Sequence, residues 1–394
     1  MRVLLTGGGT AGHINPALAI ADLIRRNAPG SEIAFVGIRG GREEDLVPRE
    51  GYPLFYVDSA GFSRPLFSPK NLRVLRQAVF SPFAKKTTAI LDQFHPDVVI
   101  GTGGYACWPI MAAAARRRIP TAVHESNAIP GLTIKRLKNR VDRVWINFES
   151  TADALGSSDR ILRVGNPLRE SFGCTDRRQA RERLGIPEDA TVILSFGGSL
   201  GAEHVNTAVL ELMHGFVSAQ PRVIHFHAAG KRDFGRIREL ASQMGLDGCP
   251  NCLLSDYFYD MPDRMAAADL VISRAGAMTL SELALTGKAA ILIPSPYVAD
   301  DHQTANARAL AERGAAVLIP EASLAEGTLT ETVRGLLANP GRMEAMRTNI
   351  RRFADPDAGE RIWGEIVRMT SPRAQVRNER RSPQTGKTGR MLWG

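Results

Sequence analysis

The chain uses one short construction twice, near its start and near its middle, and this repetition restricts its fold more than any other feature. Val3-Leu4-Leu5-Thr6 leads into Gly8-Gly9-Thr10-Ala11-Gly12, and Ile193-Leu194-Ser195-Phe196 leads into Gly197-Gly198-Ser199-Leu200-Gly201. In each case an apolar run meets a glycine turn and then a helix-forming stretch, as when a parallel strand enters its crossover helix. Further strand-like runs at 33–36, 98–100, 122–124, 144–146, 224–227, 270–272, 291–293 and 317–319 alternate with helical stretches such as 16–26, 177–184 and 302–313. The pattern predicts an α/β protein of two doubly wound, Rossmann-like domains. Their ligand cleft is expected between the domains, at the carboxyl ends of the strands. The turn residues Val164-Gly165-Asn166-Pro167 mark the boundary, giving expected units of 1–165 and 166–355, a terminal helix at 356–370 and a tail at 371–394.

Size agrees with two domains, since 394 residues exceed what one core usually serves. The net charge of +9 raises the question of nucleic acid, but its distribution answers it. The tail alone holds six basic residues (Arg373, Arg377, Arg380, Arg381, Lys387, Arg390) against Glu379, which accounts for +5 and leaves a mildly basic body. No nucleic-acid partner is expected, and the tail, without apolar periodicity, reads as a disordered extension. The first residues enter a strand with no signal-peptide pattern. The longest apolar run, 106–115, contains Pro109 and falls well short of the roughly 20 residues a spanning helix needs. A cytoplasmic protein without a transmembrane helix is the expectation. Cys249-Pro250-Asn251-Cys252 is the only C-x-x-C and reads as a plain loop.

Gly7, Gly9 and Gly12 match the dinucleotide pattern G-x-G-x-x-G. A nicotinamide site, however, needs a carboxylate about 20 residues further on, at the end of the second strand. Here that strand runs into Gly37-Ile38-Arg39-Gly40-Gly41, and the first acids are Glu43 and Glu44. The loop at 197–201 suits an anion, because amides at a helix N-terminus carry about half a positive charge; a tight turn without ligand is the other reading. The segment Ser273-Arg274-Ala275-Gly276-Ala277-Met278-Thr279-Leu280-Ser281-Glu282 repeats the strand-to-helix entry with a carboxylate one turn inside. Glu282 there can accept from a ribose diol, or it merely complements the helix dipole. Gln303, in the first turn after Asp300-Asp301-His302, both donates and accepts, which suits adjacent sugar hydroxyls; capping is the alternative. The only D-x-D, Asp355-Pro356-Asp357, stands apart from these motifs, so no metal and no cofactor are expected. His225 and His227 share a strand face without a completing ligand and read as core residues.

Taken together, GGGTAGHINPALA, GTGGYACWP, HESNAIPG, GNPLR, GGSLGA, SRAGAMTLSE and DDHQTANA, in this order between residues 7 and 307, resemble the bacterial MurG family. These glycosyltransferases add N-acetylglucosamine to the lipid-linked muramyl-pentapeptide precursor of peptidoglycan. The resemblance implies a GT-B fold with the acceptor in the first domain, UDP-GlcNAc in the second, and the final helix crossing back to the first. It implies that Arg169 and Ser199 hold the donor diphosphate, Glu282 the ribose, and Phe258 the uracil through its strand-end loop. Ala277, Met278, Thr279, Leu280 and Ser281, with Glu282, would supply the helix N-terminus near the phosphates, and Gln303 would read the sugar. Thr10, Ala11, Gly12 and Asn127 would approach the donor from the first domain, with Gly103, Gly104, Tyr105 and Glu125 on the acceptor side. His13 is the candidate base, its competing role being phosphate donor to the acceptor lipid. Ala11, Ser126 and Ile134 depart from the expected motifs, and Ala11 raises a question of loop strain.

The implied reaction moves GlcNAc from UDP-GlcNAc to the C4 hydroxyl of MurNAc in undecaprenyl-diphospho-MurNAc-pentapeptide with inversion, converting lipid I to lipid II. The implied place is the cytoplasmic face of the inner membrane, as a peripheral enzyme on an anionic surface and a partner of cell-division or cell-wall assembly proteins. Residues 70–94 read as a docking element, with Leu72, Leu75, Val79, Phe80 and Phe83 beside Lys70, Arg73, Arg76, Lys85 and Lys86, or as an ordinary packed amphipathic helix. A related transferase acting on another lipid or small acceptor, or a non-catalytic nucleotide-sugar sensor, would share the donor loops.

Overall fold

A computed structural model describes residues 1–58, 85–198, 201–298, 301–325 and 327–371. The apolar runs pair into two wholly parallel sheets. The first contains β1 (Arg2–Thr6), β2 (Glu32–Gly37), β3 (Leu54–Tyr56), β4 (Val98–Gly101), β5 (Thr121–Glu125), β6 (Arg143–Ile146) and β7 (Ile161–Arg163), in the order β3-β2-β1-β4-β5-β6-β7. The second contains β8 (Thr191–Phe196), β9 (Val223–Ala228), β10 (Cys252–Ser255), β11 (Leu270–Ser273), β12 (Ala289–Leu292) and β13 (Val317–Leu318), in the order β10-β9-β8-β11-β12-β13. The central strands are buried on both faces, as parallel sheets covered by helices must be. The sequence does not anticipate β3, β7 and β10, which are short and only partly buried edge strands whose apolar signal is correspondingly weak.

Winding reverses at β1, which lies between β2 and β4, and at β8, which lies between β9 and β11. At such a switch point the two flanking loops diverge and open a crevice at the carboxyl ends. The glycine loops after β1 and β8 occupy these two positions.

Two helices leave the switch points, α1 (Ala11–Asn27) after β1 and α3 (Ala277–Thr286) after β11, while α2 (Glu43–Arg49) follows β2 and α4 (His302–Ala311) follows β12. Helix α1 buries Ile14, Leu18, Ile20 and Ile24 against the first sheet. The last described helix, α5 (Ala358–Thr370), inserts Ile362, Ile366 and Met369 into that same cluster. Each such fully buried side chain contributes roughly 1.5–3 kcal/mol, so α5 is bound to the first domain although it follows the second in sequence. Inside the second domain, Ser195 Oγ lies 2.7 Å from His225 Nε2 and 2.8 Å from His227 Nδ1. Burial lowers both imidazoles, His227 to about 4, so this pair is a neutral core cluster.

Among the described residues no helix is long and apolar enough to cross a membrane. Most of the expected docking element, residues 70–84, lies outside the described residues, as does the tail from 372. The part described, Lys85–Phe94, is a helix burying Thr87, Ile90, Leu91 and Phe94, with Lys86 paired to Asp58 at 2.8 Å.

Candidate active site

Helix α1 starts before the histidine, so His13 belongs to its first turn. Thr10, the N-cap, is extended (φ −136°), and the left-handed residue of the loop is Gly9. Ala11 is therefore ordinary helix and carries no strain. His13 Nδ1 lies 3.2 Å from Thr10 Oγ1, and the His13 carbonyl accepts from Thr102 Oγ1 at 2.6 Å. Thr102 N–H in turn donates to Thr6 O at 2.8 Å, stapling the loop after β4 to the loop after β1. Gly103 (φ +101°) lies against the imidazole. A Cβ there would fall 2.8 Å from His13 Cδ2 and 3.1 Å from Nε2, so only glycine fits both the backbone and the ring. Burial lowers the His13 pKa; the Glu125 charge, the Gly8 backbone and the Glu43 charge oppose the shift without reversing it. The imidazole is thus neutral at pH 7. The tautomer decides which ring nitrogen carries the lone pair: Nε2 where Nδ1–H donates to Thr10, Nδ1 where Thr10 Oγ1 donates.

Behind this loop stands Glu43, a residue that sequence reasoning passed over as merely too late to hold a ribose. It is 1% exposed. Its Oε2 accepts Gly9 N–H at 3.1 Å and its Oε1 accepts Ile38 N–H at 2.9 Å. A Cβ at Gly8 would meet Oε1 at 2.5 Å, so the carboxylate lies directly against the glycines. The chain's own anion occupies amides that a glycine loop of this kind offers to phosphate.

In the second domain the other flank of the switch point, after β11, is open. Helix α3 follows Gly276 with no side-chain cap and no acid in its first turn, so its leading N–H groups are available to a ligand. Glu282, further along, is 8% exposed, and burial raises its pKa to about 8 against the opposing charge of Arg169. The cradle is braced from the interdomain linker, where Asn166 Nδ2 donates to Ser281 Oγ at 2.9 Å and to Ala277 O at 3.4 Å. Gln303 on α4 accepts Ser295 N–H at 2.9 Å through Oε1, which leaves its NH₂ group to donate elsewhere. The Phe258 ring is packed away, edge-on to Phe226 and under the Arg264 guanidinium at 4.0 Å, while the residue itself borders the cleft.

The two walls enclose a cleft of about 970 Å³. From the first domain it is lined by Thr10, Ala11, Gly12, His13, Tyr105 and Asn127, and from the second by Phe258, Ala277, Met278, Thr279, Glu282 and Gln303. Arg169, in the linker, also borders it; its Nη2 lies 2.7 Å from Glu50 Oε1 and its Nε 3.9 Å from Asp22 Oδ2, both on the first domain. Five predicted residues stand behind the lining. Gly103 and Gly104 back the first loop, Leu280 packs in the core, and Ser281 bonds Asn166. Glu125 is buried and holds Asn127, accepting its N–H and Nδ2 at 2.9 and 3.1 Å and Gly131 N–H at 2.8 Å. Ser199 lies outside the described residues. Ser126 Oγ, where the motif departs from expectation, is 3.6 Å from Met278 Sδ across the cleft. Among the described residues no group of three His, Cys, Asp or Glu could hold a metal ion.

Residues 3–146 match the glycosyltransferase family 28 N-terminal domain, and residues 192–362 match the family 28 C-terminal domain. The chain is 42% identical over 368 residues to a UDP-N-acetylglucosamine–N-acetylmuramyl-(pentapeptide) pyrophosphoryl-undecaprenol N-acetylglucosamine transferase of Acetivibrio thermocellus, covering 93% of this chain and 98% of that one. It is 38% identical to the Listeria monocytogenes protein of the same name, covering 93% and 99%. The crystal structure of Acinetobacter baumannii MurG superposes with a TM-score of 0.67 at 27% identity over 93% of this chain and 99% of that one. A UDP-GlcNAc 2-epimerase from Neisseria meningitidis, at 16% identity, shares the fold with a TM-score of 0.61 over 93% of this chain and all of that one.

Proposed function

The chain belongs to the MurG family of glycosyltransferases, and on that premise we propose that its cleft transfers N-acetylglucosamine from UDP-GlcNAc to the MurNAc C4 hydroxyl of lipid I, yielding lipid II for peptidoglycan. One observation carries the catalytic reading: a neutral imidazole, His13, and an uncapped helix N-terminus with a buried carboxylate, α3 and Glu282, face the same cleft from opposite domains. The donor lies in the second domain with its ribose diol on Glu282 and its diphosphate at the α3 amides. The acceptor enters from the side of Tyr105.

The reaction is a single displacement. The acceptor oxygen attacks the anomeric carbon, the unprotonated ring nitrogen of His13 takes its proton, and the bond to the UDP oxygen breaks with inversion. Negative charge then grows on the departing diphosphate, where the α3 amides and Arg169 stabilise it. Preorganised donors of this kind are typically worth about 2.7–4 kcal/mol each. Arg169 reaches the diphosphate by leaving Glu50, so donor binding exchanges one carboxylate partner for a phosphate. The acceptor's polyprenyl tail supports a peripheral position on the inner face of an anionic membrane, with residues 70–94 as the docking element.

Incubating the protein with UDP-GlcNAc and a short-chain lipid-linked muramyl-peptide tests the assignment through UDP release. Release only with a different acceptor would move the enzyme elsewhere in its fold class, and binding without release would make it a sensor. The base is tested separately. His13→Ala is expected to lower kcat about 10²–10⁴-fold at saturating acceptor, and normal turnover would transfer the role elsewhere. Because burial depresses the His13 pKa below its usual 6.5, kcat at saturating donor and acceptor is expected to hold down to about pH 6.5 and to fall only below, as the imidazole protonates, whereas kcat/KM also reads the Glu282 titration near 8.

A further inference from the structure

Helix α2 touches both halves of the enzyme. On the first domain, Glu43 bonds the amides of Gly9 and Ile38 and so fixes the loop that leads into His13. On its other side, two residues along, Asp45 meets the second domain. Lys231 Nζ lies 2.5 Å from Asp45 Oδ2, and Tyr259 OH donates to the same oxygen at 3.4 Å. Arg49, one turn further, binds Asp45 Oδ1 at 2.8 Å and places its guanidinium 4.1 Å from the centre of the Tyr259 ring. At the start of the helix, Arg42 lies 5.4 Å from the centre of the Tyr257 ring, and the two tyrosine rings are 4.8 Å apart.

These contacts converge on one short loop. Tyr257 and Tyr259 flank residue 258, which borders the cleft at the end of the β10 strand. A single exposed ion pair fixes little, but two donors from the second domain on one carboxylate, with Arg49 of α2 stacked on the ring of one of them, define one relative position of the two domains. Lys231 and Arg49 hold the Asp45 carboxyl down to about 2, so it remains an anion throughout any working range.

We propose that α2 couples the two halves of the site: Glu43 sets the loop bearing His13, while Asp45, with Lys231 and Tyr259, holds the donor loop in register with it. Asp45 is in this sense a positioning residue that touches neither substrate. This inference rests on the transferase reading above only for the identity of the donor. The clasp itself is a property of the protein without ligand.

The test compares Asp45→Ala, Lys231→Ala and the double variant with the parent. In the ligand-free proteins, amide exchange over residues 256–260 is expected to accelerate in each variant about three- to tenfold, with melting temperature unchanged. In turnover, the KM for UDP-GlcNAc is expected to rise by a similar factor while the KM for the acceptor holds. The double variant should be no worse than the poorer single one, because both remove one interaction. Parental exchange over 256–260, or fully additive effects, would overturn the clasp. A parent protein that fails to use UDP-GlcNAc would instead defeat the transferase reading, and the exchange measurement would still decide the clasp.

Discussion

At the switch point of the first sheet, the glycine loop after β1 has its Gly9 N–H bonded to Glu43, which also holds Ile38 N–H; at that of the second, α3 begins, as α1 does, with neither a side-chain cap nor an acid in its first turn. Both places follow parallel strands and open into the same cleft, and what sets the first apart is the carboxylate bonded to its loop amide. A glycine-rich loop therefore does not by itself make a phosphate site. What decides is whether the rest of the chain delivers an anion to it. In the first domain Glu43 takes the Gly9 amide, and the loop becomes a rigid mount for His13. In the second domain Glu282 sits further along α3 and lines the cleft.

The rigidity of the first loop is the most vulnerable part of this contrast. Gly103→Ala would force a side chain into a left-handed backbone and into the His13 ring, and kcat is expected to fall about tenfold or more at a stability cost of about 1–3 kcal/mol. Steady-state kinetics with a parallel melting curve measure both; a variant with parental kcat would mean the imidazole needs no fixed mount. The open side makes a prediction in pH. Glu282 binds its proton more tightly folded, with a pKa of about 8, than unfolded, at about 4.5, so the folded state holds the extra proton between these values. Parent stability should accordingly decline as pH rises from about 4.5 to about 8, by up to about 1.4 kcal/mol per unit, relative to Glu282→Gln. Denaturant midpoints across that range measure it, and parallel curves would refute the burial argument. The smallest expected effect is that of Glu43→Gln, which keeps one acceptor for the two amides and should cost about 1–2 kcal/mol of stability.

The same contrast explains what the sequence reveals and what it conceals. The two-domain α/β architecture is legible because β-branched runs and glycine turns are local signals, and the central strands match their expected positions to within a residue or two. The cleft lining is legible where motifs are contiguous, as from Gly276 to Glu282. Glu43 is not, because its partners Gly9 and Ile38 come from two other loops and nothing local marks it as buried. Asp45, Lys231 and Tyr259 are hidden for the same reason, being ordinary surface residues until the domains face each other. The strain expected at Ala11 is absent because the helix begins there, with Gly9 taking the left-handed position.

Calorimetric titration of UDP into Glu282→Gln and Glu43→Gln tests the assignment of the two switch points most directly. Glu282→Gln is expected to weaken UDP binding at least about tenfold, while Glu43→Gln is expected to bind within about threefold of the parent. The reverse pattern, with UDP binding lost on changing Glu43 and retained on changing Glu282, would contradict it.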